Sequence, residues 1–393
     1  MTTGPRTWWI LKQTPHHSAP RSARARAWWV CCAFLALTPL AACEGTVGGN
    51  EPDTGTGAEA DGGPSSDRDA GASGGVDAGA PRDSGPSDRC ATVTCGENAR
   101  CEPAVGRCVC LPGFVEMGGA CQALPPGDPA ARTRDEVCAQ WRAGRVENAR
   151  DPWIEDPADM CAPGTLSREA IDDTLRRVNV FRWLVGLPPV TDDPAQHPYD
   201  QACALMMYVN RRLDHMPPSS WTCWSMEGYQ GARTSNLALG VRSPAEAIDL
   251  YMDDSGVPSL GHRRWVLNGP LGRVGIGFAG NAQCLGVFDM SGRSDRMWTA
   301  FPNPGPVPID AIRGLWSFHS NRFSMRSATV TVERAGDGMV LPVAVDHPPD
   351  GFGPSTVSFE PMGWRPEVGQ RYRVTVGSVT GGPIAYEVEP VSC

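Results

Sequence analysis

In the stretch SLGHRRWVLNGPLGRVGIG, residues 259–277, a glycine-flanked histidine runs into an arginine pair, an apolar run and three closely spaced glycines. The chain has seven histidines, so His262 is either packed scaffold or part of a site. A neutral imidazole can ligate a metal or exchange a proton near neutral pH, which few other side chains do. The rest of the inventory narrows the chemistry. The one lysine, Lys12, lies in a leader-like segment. A processed chain would hold none, which removes a Walker-type phosphate lysine, a Schiff base and a Ser–Lys dyad. The metalloprotease helix signature HExxH is absent. Any chemistry at His262 therefore depends on partners that the fold must bring from elsewhere.

The first 42 residues hold five basic and no acidic side chains, and Arg21, Arg24 and Arg26 precede AWWVCCAFLALTPLAAC. A charged segment, a short apolar segment and small residues read as an export signal. The apolar run is too short for a comfortable membrane span. Leu40-Ala41-Ala42-Cys43 looks like a bacterial lipobox, which implies a diacylglycerol on the Cys43 sulfur. Several acyl chains on one cysteine anchor well. Losing the segment takes the formal charge from −9 to −14. So acidic a chain repels nucleic acid and anionic lipid at long range. No nucleic-acid partner is expected, and membrane contact would run through the lipid anchor alone. Residues 43–89 hold little but Gly, Ala, Asp, Ser, Pro and Thr. They bury too little surface to offset ordering entropy and read as a disordered tether.

Six cysteines then fall within residues 90–121. A module so short needs staples, because its core is tiny; counting alone allows fifteen connectivities. Cys108-Val-Cys110, Pro112-Gly113-Phe114 and Cys121 resemble an EGF-like module. The resemblance implies the pairs Cys90–Cys101, Cys95–Cys108 and Cys110–Cys121. Asp88-Arg89 is a weak match to the calcium-binding form, so no calcium is expected. Residues 122–162 read as a connector, with Cys138 paired to Cys161.

Around His262 the pattern is first helical. Ser167, Glu169 and Asp172 open a helix in which Ile171, Leu175, Val178, Phe181 and Leu184 recur at three and four, and Gly186 with Pro188-Pro189 ends it. Further helices are expected over about 200–213 and 244–253, the latter starting at Ser243-Pro244. Residues 272–280 and 283–290 read as strands, so an α+β layered domain follows over 163–292. After 298, ATVTV, LPVAV, TVSFE, YRVTV and AYEVE alternate apolar and polar residues, with Gly381-Gly382 as a turn. This reads as a C-terminal antiparallel β-sandwich over 298–393. Cys203–Cys223 and Cys284–Cys393 complete the expected disulfides.

The landmarks VNVFRWLVGLPPV, Leu213-Asp214-His215, SNLALG, AIDLYMDD and the His262 stretch, in that order, resemble the CAP superfamily in its bacterial form. This is the group of cysteine-rich secretory, antigen 5 and pathogenesis-related proteins. The resemblance implies a three-layer α-β-α sandwich whose cleft holds two histidines and two acids. By that resemblance His215 and His262 are the histidines and Asp254 is one acid. Ser235 stands where the other acid, a glutamate, is expected. Two imidazoles and a carboxylate are the minimum for an open zinc site, so His215, Asp254 and His262 are the candidate metal ligands and catalytic groups, with zinc the one cofactor implied. The alternative is a structural cleft in which the histidines hold the layers together. Arg263 and Arg264 are expected to pair with acids such as Asp253. His197, His319 and His347 read as surface or loop residues.

Three functions follow. The first is an exported, lipid-anchored envelope or extracellular protein whose CAP-like domain binds a protein or lipid partner without catalysis. The second is a metal-dependent peptide hydrolase built on the His/Asp/His set. The third is sterol or lipid binding near Met206-Met207-Tyr208 and Trp221–Trp224.

Overall fold

The computed structural model describes residues 89–393 apart from 103–104. The signal segment, Cys43 and the tether up to residue 88 lie outside the described residues. Residues 90–123 form two antiparallel ribbons, β1 (Ala99–Glu102) with β2 (Arg107–Cys110) and β3 (Phe114–Met117) with β4 (Ala120–Ala123). None of their described side chains is fully buried, so disulfides do the work of a core. These are Cys90–Cys101, Cys95–Cys108 and Cys110–Cys121. Loops this short lose roughly 3 kcal/mol of unfolded-state entropy apiece on closure.

Residues 122–162 are more than a connector. Helix α1 (Arg134–Gly144) begins in a capping box, in which the Thr133 hydroxyl accepts from the Glu136 amide and the Glu136 carboxylate accepts from the Thr133 amide. Val137 and Trp141, one turn apart, are buried, and Trp141 meets Phe181 edge-on at 5.5 Å. Cys138, on this helix, pairs with Cys393, not with Cys161. The C-terminus runs along α1, where Arg134 and Arg142 donate to the carbonyls of Ser392 and Cys393.

A short ribbon, β5 (Trp153–Ile154) with β6 (Thr165–Leu166), leads into α2 (Arg168–Leu184). Ser167 caps α2, and Gly186 at φ 77° turns the chain away. The central sheet has the order β7-β9-β10-β8, with β7 (Thr191–Asp192), β8 (Ser235–Leu239), β9 (Arg273–Ala279) and β10 (Ala282–Gly286). Only β7 runs parallel to its neighbour. The alternation of β9 explains the glycines of the opening stretch. Val274, Ile276 and Phe278 enter the core shared with α2 and α5 (Pro244–Asp253), while Gly275 and Gly277 point the other way. That bare face receives α3 (His197–Asn210) so closely that a Cβ on Gly277 would lie 2.0 Å from the Asp200 carbonyl oxygen. Helix α4 (Met226–Thr234) packs beside α3, and α6 (Gly261–Val266) follows α5.

Cys203 on α3 reaches Cys284 on β10, and Cys161 reaches Cys223. The expected pairs Cys203–Cys223 and Cys284–Cys393 are thereby replaced. Cys203 and Cys284 face each other inside the helix–sheet core, a relation that spacing along the chain does not encode.

The remaining strands are β11 (Thr299–Phe301), β12 (Gly305–Pro308), β13 (Trp316–Ser320), β14 (Thr329–Arg334), β15 (Met339–Leu341), β16 (Val343–Asp346), β17 (Ser355–Pro361), β18 (Tyr372–Gly377) and β19 (Ile384–Val391). They form sheets ordered β11-β13-β17-β16 and β12-β19-β18-β14-β15. Trp316 and Phe318 of the first meet Tyr372 and Tyr386 of the second. The expected all-antiparallel pairing needs one correction: β12 runs parallel to β19. The proline-rich strand sits at a sheet edge, where its missing N–H groups do least harm.

Candidate functional site

Helix α5 ends at Asp254, which adopts the left-handed conformation at φ 50°. Aspartate tolerates this better than most residues. The turn directs its carboxylate inward, with no side-chain exposure. Oδ1 accepts from His262 Nδ1 at 2.7 Å, and Oδ2 accepts from the Arg263 amide at 3.1 Å. The Tyr251 ring stacks on His262 at 5.2 Å, and its hydroxyl donates to the Asn236 carbonyl. Asn236 in turn donates to the His262 carbonyl at 3.0 Å. His262 is therefore fixed by α5 beneath it and by β8 beside it.

His215 Nδ1 lies 2.8 Å from the Ala232 carbonyl. A carbonyl only accepts, so Nδ1 carries the hydrogen and Nε2 the lone pair of the neutral ring. Burial lowers the His215 pKa, and the nearby charge of His262 adds to this. The same logic at the Asp254 carboxylate puts the hydrogen of His262 on Nδ1. In both rings Nδ1 is the nitrogen tied to the protein.

The expected zinc set does not assemble. Among the described residues, no group of three His, Cys, Asp or Glu side chains is placed to hold a metal ion. The reason is local: Asp254 spends both oxygens inside the protein, on His262 and on the backbone of α6. Its contact with the ring is a hydrogen bond to Nδ1. Ser235 supplies no replacement. It is buried, and its Oγ lies 2.7 Å from both Asp200 Oδ1 and the Gly231 carbonyl.

That geometry has a consequence for Asp200. A hydroxyl has one hydrogen, and a carbonyl cannot donate. Satisfying both contacts requires a protonated Asp200 that donates to Ser235 while Ser235 donates to Gly231. Burial pushes the Asp200 pKa up to about 8, which agrees. Its Oδ2 lies over Gly275 and Gly286, a directly paired couple on β9 and β10, without a well-formed hydrogen bond. Sequence reasoning passed over Asp200. The available signal was its place on the apolar face of α3, in step with Cys203, Ala204 and Met207.

The arginine pair departs from expectation. Arg263 and Arg264 are both buried and bind backbone carbonyls, not the Asp253 carboxylate. Arg263 donates to the Met252, Asp253 and Leu315 carbonyls and to Ser317 Oγ. Arg264 donates to the Ser259, Pro349 and Pro354 carbonyls. Together they fasten α6 to the C-terminal sheets. Burial lowers the Arg263 pKa to about 10. His319, expected at the surface, is buried between Thr356 and Ser317, and burial holds its pKa well below normal. His197 pairs with Asp192, and His347 contacts the Ala328 carbonyl. Met206 and Met207 are core residues with no exposure, and Tyr208 packs edge-on against Trp153. Tyr208 is nevertheless exposed, and Trp221 and Trp224 are half-buried.

A small antiparallel-dominated sheet, helices packed on it, and a histidine held by the carboxylate that ends the preceding helix define a disulfide-bonded α/β module with a histidine site. Residues 175–288 match the family model described as CAP, the cysteine-rich secretory protein family, and this part of the chain is similar to that family. Comparison with curated proteins gives no match, and neither does comparison with solved structures. Among the described residues, no helix is long and apolar enough to cross a membrane.

Proposed function

We propose that the protein is an exported, lipid-anchored binding module. Its CAP domain, layered as an α-β-α sandwich, would present a surface to an extracellular or envelope partner without catalysing a reaction. On this reading the stapled ribbons are an EGF-like spacer and the C-terminal sheets a β-sandwich that braces the CAP domain. The observation that carries it is the state of the carboxylates. Both Asp254 oxygens accept hydrogen bonds and the carboxylate has no exposure, and the position where a second acid is expected holds a buried serine. A metal site built on the His/Asp/His set needs a carboxylate that the ion can reach. Six disulfides among the described residues suit an oxidising compartment.

The test uses the chain from Cys43 onward, produced by export. It combines zinc analysis, digestion of a peptide library and crosslinking to envelope components. The expected result is substoichiometric zinc, no cleavage and a recovered crosslinked partner. One zinc per chain, with peptide cleavage lost in His262→Ala, would establish the metal-dependent hydrolase instead.

A further inference from the structure

Away from the histidine site, a cavity of about 400 Å³ opens between the segment after β10 and the segment after β13. Small-ligand sites run to roughly 300–1,000 Å³ and favour junctions of this kind. Arg293, Arg296 and Arg322 line it against a single acid, Asp295. Arg296 is committed, donating to the Gly186 and Gly127 carbonyls. Arg293 and Arg322 are exposed, and among the described residues neither guanidinium has an ion pair or hydrogen bond. Some other surface arginines of the C-terminal sheets pair with acids, Arg326 with Asp350, Arg334 with Asp337 and Arg371 with Glu387, while among the described residues Arg313 and Arg365 do not. What sets Arg293 and Arg322 apart is that both line one cavity.

The walls are also held in place. Asn321 donates to Asn268 Oδ1 at 3.1 Å across the junction, and Ser320 donates to the Met297 carbonyl at 2.8 Å. The same docking rests on Arg263 and Arg264, so the cavity exists only while the two parts of the chain are joined. Guanidinium is permanently charged, and its planar fork offers paired N–H donors that match phosphate oxygens. We propose that this cavity binds a small ligand through a phosphate group held between Arg293 and Arg322. The inference does not rest on the reading of the histidine site.

Calorimetric titration of the chain from Cys43 onward with pyrophosphate at low ionic strength tests it. One saturable site per chain is expected. Affinity should fall on the order of tenfold or more in the double variant Arg293→Gln/Arg322→Gln. It should hold in Arg107→Gln/Arg365→Gln, which removes the same charge elsewhere on the surface. All four positions are exposed, so folding of the variants is expected and is checked by their unchanged melting temperature. Phosphatidate vesicles form a second arm. Vesicle binding displaced by pyrophosphate identifies a lipid headgroup as the source, and pyrophosphate binding without vesicle binding identifies a soluble phosphorylated molecule. No saturation at millimolar pyrophosphate, equal losses in both double variants, or binding of polyglutamate alone would each overturn the proposal.

Discussion

Asp254 and Asp200 approach the central sheet from opposite faces, and both are almost completely buried. Asp254 meets two N–H donors, one from an imidazole and one from the backbone. Asp200 meets a serine hydroxyl already shared with a carbonyl, and its second oxygen rests on bare glycine backbone. Burial pushes Asp200 up to about 8. The contrast shows that depth alone does not decide what a buried acid does. The donors around it decide whether it works as an acceptor that orients a histidine or as a neutral group that closes a hydrogen-bond chain.

The largest effect should come from pH. Asp200 is raised in the folded protein from 3.8 to about 8, so between those values the folded state holds a proton that the unfolded state has released. Its contribution is therefore fully present below about pH 4 and is lost as pH rises through about 8. The slope reaches up to about 1.4 kcal/mol per pH unit. Asp200→Asn keeps the shape without the titration. Urea denaturation from pH 5 to 9 should show the native protein losing stability relative to this variant as pH rises. Parallel curves would break the comparison, because Asp200 would then be no different from an ordinary acid.

Next in size is Asp254→Ala. It strands the His262 Nδ1–H and the Arg263 amide and places alanine at a positive φ, at a cost of about 3 kcal/mol. Asp254→Asn keeps one acceptor and the tolerance for that turn, so it should recover part of the loss. Equal unfolding midpoints for Asp254→Ala and the native chain would mean that the carboxylate does not hold His262.

How far this was legible in the sequence differs by residue. Local signals served well. Ser167 and Ser243-Pro244 mark the starts of α2 and α5, and Gly381-Gly382 makes its turn at φ 92° and 97°. Helix α3 begins at His197, three residues ahead of expectation, because Gln196 precedes it without a side-chain cap. Helix α6 was missed because it is six residues long and starts from Leu260 at φ 50° with no capping side chain. Strand β12 was hidden in FPNPGPVP, where proline usually means loop. The site divides in the same way. The positions of His215, Asp254 and His262 rested on the order of landmarks, but the roles of Asp254, Arg263 and Arg264 depend on which carbonyls and amides lie across from them. Those partners come from α5, the start of α6 and sheets some 50 to 90 positions away. Residue types at a spacing do not carry that information.

The smallest effect sharpens the comparison most. Ser235→Ala removes one hydroxyl from the chain Asp200–Ser235–Gly231 and creates little cavity. If Asp200 is neutral at pH 6, the loss is that of one buried hydrogen bond, about 1 kcal/mol. When Asp200 ionises, the Ser235 hydroxyl turns its hydrogen from Gly231 to the carboxylate, and that contact is the first of those that hold the Asp200 pKa down against burial. Without it the pKa should climb further, and the fall in stability with rising pH should start at the same point but run to a higher pH. The check is the denaturation series used for Asp200→Asn, extended to pH 10 for Ser235→Ala and for the double variant with Asp200→Asn. In the double variant the alkaline extension should vanish, because no titrating group remains. If it persists, the proton lies elsewhere, and the pairing of Ser235 with a neutral Asp200 fails.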